Sequence, residues 1–298
     1  MKSKYVFLLL LFIIGNRSVK GQFEYNNLSY VVEDIPVDSL QMLNLVLPES
    51  VKNAPLLIWI GGGAWSYGDR HVEMKLARNL AKQGIAVASV GHRLSPAVWR
   101  DPSLSKGVIH PAHIEDVARA VKWLSDHAQE YGYDGDKFFI GGYSSGAHLA
   151  SLLSLDSQYL EKYDLNPSIF KGILPFSGTF DIPHYREILR NGARPELAEQ
   201  HVDAVFGSDS LIQVSASPMT YLKNLSSPIL ILSDNDLHRY TRHFEDALRQ
   251  TDFRKVEVIY TFEFGHGALW RNLSGEEESP HRNRMVSFIK ENAMRPKG

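Results

Sequence analysis

Short apolar runs alternate along the chain with stretches in which apolar residues recur every three or four positions. Leu40–Leu47, Leu56–Ile60, Ile85–Val90, Phe138–Ile140, Ile173–Phe176, Ile229–Leu232 and Val256–Tyr260 predict strands. Several are apolar at nearly every position, as strands covered on both faces require. Between them, Ile114, Val117, Ala118, Val121 and Leu124 share one helical face, with Glu115, Asp116, Arg119 and Lys122 on the other. Met74–Gln83 also reads as a helix, stopped by Gly84, and Met285, Phe288 and Ile289 mark a last one. This alternation predicts an α/β fold, a mostly parallel sheet with helices on both faces. Residues 182–217 break the rhythm. Their helical pieces, Tyr185–Arg190 and Pro195–Phe206, are separated by Gly192 and Gly207, and predict either a small lid or an extended surface connection.

One junction in this pattern carries chemistry. The strand at Phe138–Ile140 runs into Gly142-Tyr143-Ser144-Ser145-Gly146, and a helix leaves through Ala147-His148-Leu149-Ala150. G-x-S-x-G is weak as a bare pattern but specific between a buried strand and a helix. The turn is tight, the glycines keep Cβ atoms out of it, and the middle hydroxyl stands clear at the C-terminal edge of the sheet. Ser144 is therefore the candidate nucleophile.

A serine hydroxyl needs a base. His266 sits in Phe264-Gly265-His266-Gly267, in the loop after the last predicted strand, and is the candidate. The base needs an orienting carboxylate. Ser233-Asp234-Asn235-Asp236 follows the strand Ile229–Leu232, and either aspartate could serve. Asp236, further into the loop, is preferred, because Asp234 reads as a turn former. Gly61-Gly62-Gly63-Ala64-Trp65 follows the strand Leu56–Ile60. Small residues there let the N–H groups of Gly63 and Ala64, with that of Ser145, face a developing oxyanion. Trp65 and Tyr143 are candidate substrate-lining residues. Nucleotide-binding glycine motifs do not fit: position 66 is serine and position 69 is aspartate. His110 and His113 read as a surface loop, without further ligands at metal spacing. His148 reads as packing behind the turn, and His238 and His243 as exposed helix residues.

Composition narrows the class. The 298 residues carry a net charge of −2, so nothing points to a nucleic acid. There are no cysteines, which excludes disulfides, thiol nucleophiles and thiolate metal sites. Lys2 and Lys4 precede ten apolar residues, Tyr5–Ile14, and small or modest side chains surround Gly21. This predicts a signal peptide over residues 1–21 and a secreted or periplasmic protein. Ten residues rise only about 15 Å as a helix, too little for a retained membrane span.

On these residues the chain resembles the α/β-hydrolase superfamily, and within it bacterial esterases of the hormone-sensitive-lipase and feruloyl-esterase-like (BD-FAE-like) branch. GGGAWSYGD (61–69) resembles that branch's oxyanion loop, and GHRLSP (91–96) is similar to its Tyr-Arg-Leu-x-Pro. HPAHIEDVARAVKWLSDHAQEYGYD (110–134) with GGYSSGAHLA matches its helix and elbow, and ASPMTYL (216–222) completes the likeness. Two positions depart from it: the loop's leading histidine is Gly61, and the tyrosine before Arg93 is His92.

The resemblance implies a single hydrolase domain over residues 22–298. It implies hydrolysis of a small-molecule ester, with an acetyl or feruloyl group on a carbohydrate as one substrate class and without metal or organic cofactor. An arylformamidase-type amidase and a non-catalytic binding protein of the same fold are the alternatives.

Overall fold

The structure, a computed structural model, describes residues 17–19, 21–31 and 38–295. Most of the expected signal segment lies outside the described residues. Within them the chain builds one nine-stranded sheet. Its strands are β1 (Arg17–Val19), β2 (Gln22–Ser29), β3 (Met42–Pro48), β4 (Ala54–Ile60), β5 (Ala86–Val90), β6 (Tyr133–Tyr143), β7 (Phe170–Phe176), β8 (Ile229–Asp234) and β9 (Val256–Thr261). The order is β1-β2-β3-β5-β4-β6-β7-β8-β9. β1, β2, β3 and β5 are joined antiparallel, and every pairing from β5 through β9 is parallel.

All seven predicted strands are present, so the expected α/β-hydrolase architecture holds. β1 and β2 were not expected. In β2 the register shifts between Tyr25 and Leu28, with Asn27 at φ 60°, and the bulge breaks the alternation that would have marked it.

The strand residues divide between two cores. Leu56, Ile58 and Ile60 pack on the face covered by helices Ala112–Asp126, Ser145–Leu155 and His238–Arg249. Leu57 and Trp59 face helices Met74–Ala81, His266–Gly275 and Pro280–Ala293. Because β4, β6, β8 and β9 are parallel, their C-terminal ends share one rim. Ile60 lies beside Gly142, and Asp234 beside Thr261.

Residues 182–217 form the helix Ile182–Arg190, three short turns between Glu196 and Phe206, and the helix Ser210–Ser215. Phe206 and Tyr185 from this segment pack against Trp65, with ring centroids 5.0 and 6.4 Å away. His110 and His113, expected on a surface loop, are buried instead. His113 lies on the inward face of Ala112–Asp126 and meets the Ser95 hydroxyl at 2.9 Å.

Candidate active site

Ser144 follows β6 and precedes the helix Ser145–Leu155, with φ 55° and ψ −119°. Positive φ in a residue with a side chain costs on the order of 1–3 kcal/mol, and here the surroundings enforce it. A Cβ on Gly142 would stand 2.4 Å from the Gly146 carbonyl carbon, and one on Gly146 only 2.0 Å from the Ile60 carbonyl oxygen. The bracketing glycines thus let β6, the turn and the end of β4 press together. The Ser144 N–H is tied to the Phe176 carbonyl at 2.9 Å, which fixes the turn to β7.

His266 opens the helix His266–Gly275 on the same rim. Its Nδ1 lies 2.7 Å from Asp234 Oδ2. An ionised carboxylate can only accept, so Nδ1 carries the proton and donates it, leaving Nε2 as the basic nitrogen. The Tyr143 ring stacks on the imidazole at 4.9 Å, and its hydroxyl donates to the His266 carbonyl at 2.6 Å. Ser144 and His266 line the same two chambers.

The carboxylate beside the imidazole is therefore that of Asp234, and the expectation of Asp236 is corrected. Asp234 is a turn former as well. Its Oδ1 accepts the N–H groups of Asp236 and Leu237 at 2.9 Å each, and this leaves Oδ2 for His266. One carboxylate has enough lone pairs for both tasks. β8 continues through Asp234, which is fully buried. Burial alone would push its carboxyl up. The hydrogen bond and charge of His266, with bonds from Ser177 and the Leu237 N–H, outweigh burial and hold it below the usual range. Asp236 is exposed and accepts the His266 backbone N–H at 2.7 Å. It holds the main chain of the histidine loop and does not meet the ring.

The glycine loop crosses in front of Ser144. Gly63, Ala64 and Trp65 all have positive φ, at 139°, 47° and 55°. A Cβ on Gly63 would fall 1.2 Å from the Tyr67 carbonyl oxygen, so only glycine fits there. The loop's internal bonds run from the N–H groups of Ser66 and Tyr67 to the Gly63 carbonyl. The N–H groups of Gly63 and Ala64 are not used in that turn. Ser145 is the first helical residue, and its N–H has no partner within its own helix.

His148 braces this loop. Its Nδ1 accepts the Trp65 indole N–H at 3.2 Å, and its Nε2–H donates to the Ala216 carbonyl at 2.8 Å. Burial pushes this imidazole down to about 3, so the neutral tautomer persists.

Two chambers flank Ser144. The smaller, of about 150 Å³, is lined by Trp65, Tyr67, Thr179, Tyr185 and His201. The larger, of about 260 Å³, is lined by Gly62, Val72, Glu73, Tyr143 and Trp270. Trp65 thus lines the smaller chamber and Tyr143 the larger. Sequence reasoning did not single out Glu73, Trp270, Tyr185 or His201. The only local signal for any of them was the missing histidine at position 61, because a Cβ there would lie 2.7 Å from Glu73 Oε1.

Comparison with known proteins points to the same fold and to ester hydrolases. The chain is 30% identical over 216 residues to the probable carboxylic ester hydrolase LipM of Mycobacterium tuberculosis, covering 70% of this chain and 47% of that protein. It is 26% identical to the kynurenine formamidase-like hydrolase fscH of Fusarium equiseti, covering 86% of this chain and 93% of that protein. The chain spans about half the length of the mycobacterial relatives it matches. Among solved structures, esterase B from Lactobacillus rhamnosis superposes with a TM-score of 0.73 at 22% identity, over 94% of this chain and 88% of that one. A truncated carbohydrate esterase from gut microbiota superposes with a TM-score of 0.71 at 20% identity, over 91% and 96% of the two chains. Residues 43–238 match the BD-FAE family model, and the chain belongs to that family of α/β hydrolases.

Proposed function

We propose that this protein is a serine carboxylesterase. Ser144 is the nucleophile, His266 the general base and Asp234 the carboxylate that orients it. The observation that carries the reading is the 2.7 Å bond from Nδ1 to Asp234, which leaves Nε2 basic in a space shared with a strained serine. Ser144 Oγ attacks the ester carbonyl carbon while Nε2 takes its proton. The oxyanion forms against the N–H groups of Gly63, Ala64 and Ser145. The alcohol leaves with the proton from Nε2, and water, activated by the same nitrogen, releases the acid.

The substrate class is a short-acyl ester or an acyl group carried on a carbohydrate, in keeping with the carbohydrate esterase among the structural neighbours. Export through the N-terminal segment and a lid role for residues 182–217 belong to the same proposal. Ser144→Ala is expected to abolish p-nitrophenyl acetate turnover and fluorophosphonate labelling in folded protein. Asp234→Asn should lower kcat by about 10⁴ and Asp236→Asn by about tenfold at most. Unchanged turnover in Ser144→Ala, or the reverse order of the two aspartates, rejects the assignment.

The second reading, an arylformamidase-type amidase, is favoured by the formamidase-like relative matched over 93% of its length. Comparing kcat/KM for N-formylkynurenine and phenyl acetate separates the two.

A further inference from the structure

The larger chamber holds a carboxyl that the proposed chemistry does not use. Glu73 precedes the helix Met74–Ala81 and is only 4% exposed. Its Oε2 accepts the Trp59 indole N–H at 2.7 Å. Among the described residues, no hydrogen bond reaches Oε1. The carboxyl stands against Gly61, where an added Cβ would lie 2.7 Å from Oε1, while a Cβ on Gly62 would lie 3.1 Å from Ser144 Cβ. Glu73 and Ser144 thus lean on consecutive residues of one loop, whose Cα atoms are about 3.8 Å apart. Glycine at position 61 makes the room that the carboxyl fills.

We propose that Glu73 is a specificity-determining residue of the larger chamber. Its Oε1 hydroxyl donates a hydrogen bond to an oxygen on the part of the ester that enters there. The inference rests on the esterase reading and names its substrate class more narrowly: an uncharged ester with a carbonyl, ether or hydroxyl oxygen remote from the scissile bond. Burial, opposed by the Trp59 bond and reinforced by Asp69, pushes this carboxyl up to about 8, so it carries a proton at neutral pH. The indole N–H occupies Oε2, so the proton resides on Oε1, the oxygen without a partner. Oε1 opens onto the chamber, so a substrate oxygen that reaches it gives this hydroxyl an acceptor inside the site. Trp270, Tyr143 and Val72 supply apolar walls for the carbon frame between this oxygen and the ester.

The test compares matched ester pairs on the full chain at about pH 6.5, below the pH at which this carboxyl ionises. p-Nitrophenyl levulinate against p-nitrophenyl pentanoate probes the acyl side. Methoxypropyl acetate against pentyl acetate probes the alcohol side. The readout is the kcat/KM ratio, oxygenated over plain, within each variant, so a loss of folded protein cancels. In Glu73→Leu this ratio is expected to fall about tenfold in one pair, and Glu73→Gln, which keeps a donor, should restore it. The responding pair identifies which side of the ester occupies the chamber. Ratios unchanged within about twofold in both pairs, with p-nitrophenyl acetate still turned over, overturn the proposal and leave the esterase reading standing. If the wild-type chain cleaves no ester, the esterase reading fails and this inference with it. If Glu73→Leu does not fold, Glu73→Met is judged by the same ratios.

Discussion

The glycine loop is flanked at its two ends by buried titratable side chains of opposite kind. At the Trp65 end, His148 uses both ring nitrogens, one on the indole and one on the Ala216 carbonyl. At the Gly61 end, Glu73 uses one oxygen on Trp59 and leaves the other without a partner among the described residues. Burial keeps both uncharged near neutrality, pushing the imidazole down to about 3 and the carboxyl up to about 8. The saturated group can only hold structure. The half-saturated one also offers a hydrogen bond to a ligand. Hydrogen-bond accounting at burial therefore separates a brace from a recognition element where distance to Ser144 alone does not.

The largest effect should come from cutting the brace. His148→Leu keeps an apolar side chain in the same place but leaves an indole N–H and a carbonyl buried without partners. Each orphan costs about 1–3 kcal/mol, so the variant should lose about 2–6 kcal/mol in urea denaturation. It should also turn over more slowly, because Trp65 is held at positive φ in the loop proposed to supply the oxyanion donors. A loss below about 1 kcal/mol with unchanged kcat would remove His148 from the brace and collapse the contrast.

A smaller and pH-dependent effect should mark the other end. In the unfolded chain Glu73 ionises at its ordinary 4.5, and in the folded protein at about 8. The folded state holds the extra proton between those values. Its contribution is complete below the unfolded value and drains as pH rises towards the folded one. Glu73→Gln removes this drain. Stability curves of the two proteins should diverge by at most about 1.4 kcal/mol per pH unit across that window, the wild type falling faster. His148 works in the opposite direction. Its folded value lies below the ordinary 6.5, so its contribution is present above that pH and is lost as pH falls towards about 3. Parallel curves for wild type and Glu73→Gln would mean that Glu73 is ionised in the folded state.

These contrasts show what the sequence could and could not reveal. The shared rim of Ser144 and His266 was readable because local pattern and place in the strand order coincide there: glycines at fixed offsets, a strand before, a helix or loop after. The choice between Asp234 and Asp236 was not readable. It turns on β8 running two residues past its apolar stretch and on one carboxylate serving a turn and an imidazole at once. Turn-forming chemistry at Asp234 does not exclude the second task. His110 and His113 flank Pro111 where a helix begins, and only the folding of Ala112–Asp126 onto the sheet shows that His113 is buried. Glu73 is readable only through Gly61, twelve residues earlier, and only once the fold brings the two together.

The smallest effect tests that pairing directly. Gly61 does not have positive φ, so alanine is allowed by its backbone. The obstacle is the carboxyl, with Glu73 Oε1, Cδ and Cγ at 2.7, 3.0 and 3.1 Å from an added Cβ. A free glutamate tip would swing aside, but this one is held by the Trp59 indole. Gly61→Ala should therefore cost about 1 kcal/mol in the wild-type background. In a Glu73→Ala background the obstacle is gone, and the same change should gain about 0.4–1 kcal/mol by restricting the unfolded chain. Both arms with Glu73→Ala share the orphaned indole, so its cost cancels in the double-mutant cycle. A coupling of about 1–2 kcal/mol, with the sign of the alanine effect reversing, ties position 61 to the carboxyl. Additive changes would mean that Gly61 is glycine for a reason unrelated to Glu73, and the half-saturated end of the loop would lose its structural cause.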